Sequence, residues 1–179
     1  MFFNNLKKIN KSKQKQEPPM DRKQFDNKLN ELLSNAELMI PDEILPDLPF
    51  METALDVHDW YDFEHELWGI GEEIRQHILC GKKKPNAEQV ERIVSICMDK
   101  RAKRGRESFV MLLGKKCYIN YAEKIATLLS DSDVDGHVID TLYKMGADGY
   151  NLQIEPFTSH NRMWIRNKAK KYLEKYSNV

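Results

Sequence analysis

The sequence predicts an all-α chain, and three observations carry that expectation. Apolar residues recur at helical spacing, near 3.6, along most of the 179 positions. Strict two-residue alternation does not persist, and seven prolines with eight glycines are too few for a sandwich built on tight turns. In the C-terminal part a two-helix unit returns at a period of about 30 residues. The composition, 41% hydrophobic and 31% charged, fits a soluble globular protein of one domain.

Residues 1–20 read as a disordered basic tail, with five lysines against one glutamate and Pro18-Pro19 at its end. The remainder, 21–179, reads as a single domain. A first helix over about 21–38 puts Phe25, Leu29, Leu32 and Leu33 on one face. Pro41, Pro46 and Pro49 then impose an extended loop. The next stretch, about 52–68, is taken as irregular helix holding Trp60, Tyr61, Phe63 and Trp68, with a break expected at Gly69 and Gly71. Ile70, Ile74, His77 and Ile78 place a further helix over 70–80, stopped by Gly81 and followed by three lysines that suit its negative end. Asn86 and Gln89 have the spacing of a capping box, opening a helix to about 103 with Val90, Ile93, Val94, Cys97 and Met98 inward. A shorter helix over about 105–114 gathers Phe109, Leu112 and Leu113.

Tyr121, Ile125, Leu128 and Leu129 make a helix that ends at Ser130-Asp131-Ser132-Asp133. A second helix carries Val134, Val138, Leu142 and Met145 and closes at Gly146. A shift of 31 positions turns that set into Ile165, Ala169, Leu173 and Tyr176. The backward shift of 29 brings Phe109 to Val138 and Leu113 to Leu142, with Gly105 where Val134 should stand. Leu129-Ser130-Asp131-Ser132-Asp133-Val134 and the run Trp164 to Leu173 resemble HEAT repeats, in which an acidic turn leads into an aliphatic-arginine pair and a small residue four positions on. Ile165, Arg166 and Ala169 match, whereas Asp135 replaces the arginine in the preceding unit. The resemblance covers about 104–177 and implies a short HEAT-like α-solenoid with an irregular helical N-terminal part. Tyr172, Tyr176, Lys168, Lys170, Lys171 and Lys175 then suit the polar outer face of a terminal unit.

The formal net charge of zero hides segregated blocks. Residues 41–79 hold eleven carboxylates against Arg75 alone, and residues 80–116 hold eleven bases against four acids. Such blocks either form faces that steer a charged partner or meet each other across the fold. The N-terminal residues lack the apolar run of a secretory leader, and no 18 apolar residues run together. Cys80, Cys97 and Cys117 suit neither a disulfide framework nor a zinc site and are expected as buried thiols of the cytoplasm.

Three groups of residues could carry function. Asp56, Asp59, Trp60, Tyr61, Asp62, Glu64 and Glu66 combine aromatic anchors with acids, the chemistry of a surface for a basic protein. Arg101, Lys103, Arg104 and Arg106 form the densest basic cluster, an alternative surface for nucleic-acid phosphates. His58, Asp62 and His65 would share a helical face and could hold a metal in a third, enzymatic reading. Apart from these groups, Glu73 and His77 stand at i and i+4 and could be an acid-base pair, and no glycine-rich phosphate loop is present. Small HEAT-like proteins resemble the immunity partners of bacterial polymorphic or contact-dependent toxins. That resemblance implies a non-catalytic cytoplasmic protein without cofactor or metal, which occludes a cognate toxin, a basic nuclease domain. Protein binding ranks above nucleic-acid binding, and a membrane partner is not expected.

Overall fold

Asp21 starts the first helix, α1 (Arg22–Met39), by a reciprocal cap. Its carboxylate accepts from the Gln24 amide at 2.8 Å, and the Gln24 side chain accepts from the Asp21 amide at 3.1 Å. The buried face is Phe25, Leu29, Leu32, Leu33 and Ala36, as the spacing predicts. The chain is seen in a computed structural model that describes residues 20–51 and 54–176, with the side chains of 54–57 outside the description. The expected basic tail therefore lies outside the described residues, apart from Met20.

Pro41, Pro46 and Pro49 hold the next segment out of helix, and a short antiparallel pair follows in place of the expected irregular helix. Strands β1 (Phe50–Met51) and β2 (Ala54–His58) set Phe50 opposite His58. Pro49 disfavours helix in the residue before it, and helix resumes after Tyr61, whose amide donates to the Glu64 side chain at 2.8 Å. Helix α2 (Asp62–Gly81) then runs through Gly69 and Gly71 without a break. Gly71 is a packing notch: a Cβ there would lie 2.0 Å from the Ser108 hydroxyl. A Cβ at Gly81 would likewise fall 2.8 Å from the Phe25 ring, and Lys82 takes the left-handed turn at φ 50°.

Asn86 and Gln89 form the expected capping box at 2.9 Å each way and open α3 (Ala87–Met98). This helix stops short of 103, because residues 100–106 tighten into a 3₁₀ segment kinked at Lys103. Helix α4 (Glu107–Leu112) follows, then α5 (Ala122–Ala126) flanked by 3₁₀ turns, α6 (Asp135–Met145), α7 (Asn151–Ile154) with a 3₁₀ extension to Ser159, and α8 (Met163–Tyr176). The described fold is all-α but for the two short strands.

The even-numbered helices pack in sequence: α2 on α4, α4 on α6, α6 on α8, with α1 against α2 and α3. Helices α4, α6 and α8 begin at Glu107, Asp135 and Met163, spaced by 28 residues each time. One continuous set of buried apolar residues runs from Phe25 to Tyr172. Tyr172 belongs to it and not to an outer face: it has no exposed surface and donates to the Ala147 carbonyl at 2.7 Å. Burial pushes its phenol up to about 12. Of the three cysteines only Cys97 is buried, and Cys80 and Cys117 are exposed, contrary to the expectation of three buried thiols. Helical periodicity places a residue on a face but not at which height that face leaves the core.

The charge blocks meet one another. Lys103 reaches Asp47 at 2.6 Å, Arg106 reaches Asp131 at 2.6 Å, and Lys168 reaches Asp140 at 2.6 Å. Segregation along the chain thus becomes cross-pairing between adjacent segments in space.

Candidate functional site

Three elements converge where the extended 41–49 segment and the strand pair deliver the chain into α2. Asp59 accepts from the Trp60 amide at 2.8 Å, turning the chain just before the helix. The Trp60 indole stacks on the His65 ring at 4.7 Å and carries the Arg104 guanidinium 4.4 Å from its centre. Cation–π contact of this kind contributes about 0.5–1 kcal/mol at a part-exposed site. Tyr61 sends its hydroxyl to the Pro46 carbonyl at 3.0 Å, tying the proline segment to the start of α2. Both aromatics are half-buried, so each is held in one orientation while keeping an open face.

The acids divide into two classes. Asp59, Asp62 and Glu66 are exposed, and among the described residues none of them is ion-paired. Glu64 is not part of that rim. It is only 2% exposed and accepts from the backbone amides of Tyr61 at 2.8 Å and Arg104 at 2.9 Å. Burial raises its pKa, and these two amides work in the opposite direction. Glu64 fastens α2 to the 3₁₀ segment and does not face a partner. The Asp56 side chain lies outside the described residues. Two members of the surface were not anticipated: Phe50, 55% exposed and stacked on His58 at 4.2 Å, and Ile44 in the proline segment, 64% exposed. Large apolar residues between or directly after closely spaced prolines, where no core-facing periodicity exists, are the signal that points to them.

The basic cluster turns inward. Arg106 has no exposed surface and donates to the Lys103 carbonyl at 2.9 Å, the Cys97 carbonyl at 3.3 Å and Asp131 at 2.6 Å. Lys103 is 7% exposed, with its backbone at φ 44°, a conformation that costs a non-glycine residue about 1–3 kcal/mol. Burial alone would depress its amine, but Asp47 outweighs burial and holds the pKa above its ordinary value. Arg104 lies on Trp60 and pairs with Glu107 at 3.2 Å, and Arg101 pairs with Asp99 at 2.6 Å. The four cations are spent on internal contacts and do not make a common phosphate-facing surface.

Beside them opens a cleft of about 340 Å³ between Leu45–Asp47, Lys103, Arg106 and the turn 130–133. Burial and the neighbouring Asp131 raise the pKa of Asp133 there. Lys100, Lys103 and Arg106 stand against Asp47, Asp131 and Asp133, so the charges of the cleft balance.

The metal candidate does not assemble. His58 lies in β2, with Nδ1 2.5 Å from the Leu48 carbonyl, and shares no helical face with Asp62 and His65. Among the described residues no group of three His, Cys, Asp or Glu side chains is placed to hold a metal ion. Glu73 and His77 are also separated in role: Glu73 lies 3.5 Å from Lys28, while His77 contacts the Phe25 carbonyl at 2.9 Å. No described helix is long and apolar enough to cross a membrane. Comparisons with protein-family models, with curated proteins and with solved structures each return no match.

Proposed function

We propose that this chain is a cytoplasmic binding protein that neutralises a basic protein toxin by covering it, and that it performs no chemistry of its own. The observation that carries the reading is the meeting of three exposed carboxylates, Asp59, Asp62 and Glu66, without ion pairs among the described residues, with two fixed, half-open aromatics, Trp60 and Tyr61. The neighbouring cations Arg101, Lys103, Arg104 and Arg106 are already paired within the fold. Carboxylates left free beside aromatic anchors are what a basic protein surface requires: long-range attraction for encounter, then buried aromatic area for residence. Arg104, His65 and Pro46 hold the aromatics in place beforehand, which lowers the ordering cost of binding.

A nuclease domain, whose substrate-binding cleft is basic, is the class of toxin this surface suits. The resemblance of 129–134 and 164–173 to HEAT repeats and the regular 28-residue spacing of α4, α6 and α8 support a short stacked array as its scaffold. The test is co-expression with the product of the reading frame beside this gene. The wild-type chain is expected to restore growth, and the double variant Asp59→Lys/Asp62→Lys to lose that protection while remaining folded. Equal protection by both, or none by either, overturns the reading.

A further inference from the structure

Trp60 is one end of a run of contacts that crosses the molecule along the starts of the even-numbered helices. Its indole carries Arg104 at 4.4 Å, Arg104 pairs with Glu107 at 3.2 Å, Glu107 meets His137 at 3.4 Å, and the His137 ring lies 5.0 Å from Trp164. Asp62, Glu107, Asp135 and Met163 are the first residues of α2, α4, α6 and α8, so the run follows one edge of the stack. At its far end Trp164 is 38% exposed and Met163 is 66% exposed.

The Trp164 indole is seated deliberately close to the backbone. A Cβ at Gly136 would fall 2.3 Å from its Cη2 and 2.7 Å from its Cζ3, so only glycine in the first turn of α6 leaves room for the ring. A fixed tryptophan with an open face beside an exposed methionine is the anatomy of an interface anchor. The polar groups between the two tryptophans are paired with one another and can be covered without leaving an unmet charge. Leu38 and Leu152 are exposed more fully, at 85% and 84%, but stand outside this run.

We propose that the footprint of the basic partner extends along this edge from the first turn of α2 to the start of α8, with Trp164 as a second aromatic anchor and Met163 beside it. The inference rests on the toxin-binding reading above. It adds to the partner's chemistry: cations opposite Asp59, Asp62 and Glu66, and an apolar patch opposite Met163 and Trp164, where the first turn of α8 carries no acid.

Calorimetric titration with the purified product of the adjacent reading frame tests it. Met163→Asp and Trp164→Ala are each expected to weaken binding about tenfold or more, as for anchor residues of an interface, and Leu152→Asp to change it by less than about twofold. Met163→Asp alters a side chain that is mostly in solvent, so an unchanged Tm separates lost contact from lost folding. If Asp59→Lys/Asp62→Lys abolishes binding while Met163→Asp and Trp164→Ala retain full affinity, the footprint ends at α2; the extension is then overturned and the toxin-binding reading stands. If the wild-type chain does not bind that product at all, both are overturned.

Discussion

Arg106 carries a full charge with no exposed surface, and three separate segments supply its acceptors. A buried pair broken by removing one partner costs about 3–5 kcal/mol, because the other charge is stranded. Arg106→Ala is therefore expected to lower the stability measured by urea denaturation by at least about 3 kcal/mol. Arg106→Lys should recover little, since one ammonium cannot reach acceptors that a planar fork spans. An exposed neighbour such as Arg101 should cost under about 1 kcal/mol when truncated. Nothing in the local sequence separates these two arginines. Burial of Arg106 depends on Asp131, 25 positions away, so the cluster reads as a surface from the sequence and is a hub in the fold. Asp133 beside it gives a pH test. Its folded pKa is raised by burial and then by Asp131, so its ionised form is penalised in the folded state at neutral pH. As pH falls through that raised value the native state takes up the proton first, and the penalty is relieved. Asp133→Asn should thus raise Tm at neutral pH, with the gain fading as pH approaches 3.8, the ordinary value. A Tm lowered at neutral pH by the same change contradicts this account of the cleft.

Helix α2 shows where local rules succeed and where they fail. The apolar faces of α1 and α3 and the capping box of α3 were legible because these signals lie within a few residues of each other. Gly69 and Gly71 were read as a break because glycine weakens an isolated helix, yet the reason for Gly71 is the close approach of Ser108, which only tertiary packing creates. The two glycines should therefore respond oppositely. Gly69→Ala meets open space and should stabilise the protein by about 0.5–1 kcal/mol. Gly71→Ala drives a methyl into the Ser108 side chain and should destabilise it by about 1–3 kcal/mol, both read from denaturant midpoints. The strand pair at 50–58 escaped notice for a related cause. Two short strands bear too few residues for an alternation to register, and the aromatics after them suggested helix. With that error went the metal candidate, which needed His58 on the helix of Asp62 and His65.

Across the whole molecule, the helical class was visible in the apolar pattern alone, and the starts of α4, α6 and α8 lie 28 residues apart where that pattern gave shifts of 29 and 31. The fate of the charges was not visible there. Opposite blocks permit either mutual pairing or opposed faces, and contacts in the fold decide the matter: Arg101, Lys103, Arg104 and Arg106 are ion-paired, whereas Asp59, Asp62 and Glu66 have no ion pair among the described residues. Glu64, alike in sequence, is withdrawn from that set by the cap it forms. Under the proposed function, recognition rests on this small remainder of negative charge beside the fixed aromatics Trp60 and Tyr61. Its most direct test is the association rate of the chain with the neighbouring gene's product as a function of salt. Wild type should associate fast at low ionic strength and slow steeply as salt is added, and the triple variant Asp59→Asn/Asp62→Asn/Glu66→Gln should start slower with a much flatter dependence. The same rate and the same salt dependence in both proteins would contradict the claim that these three carboxylates guide the encounter.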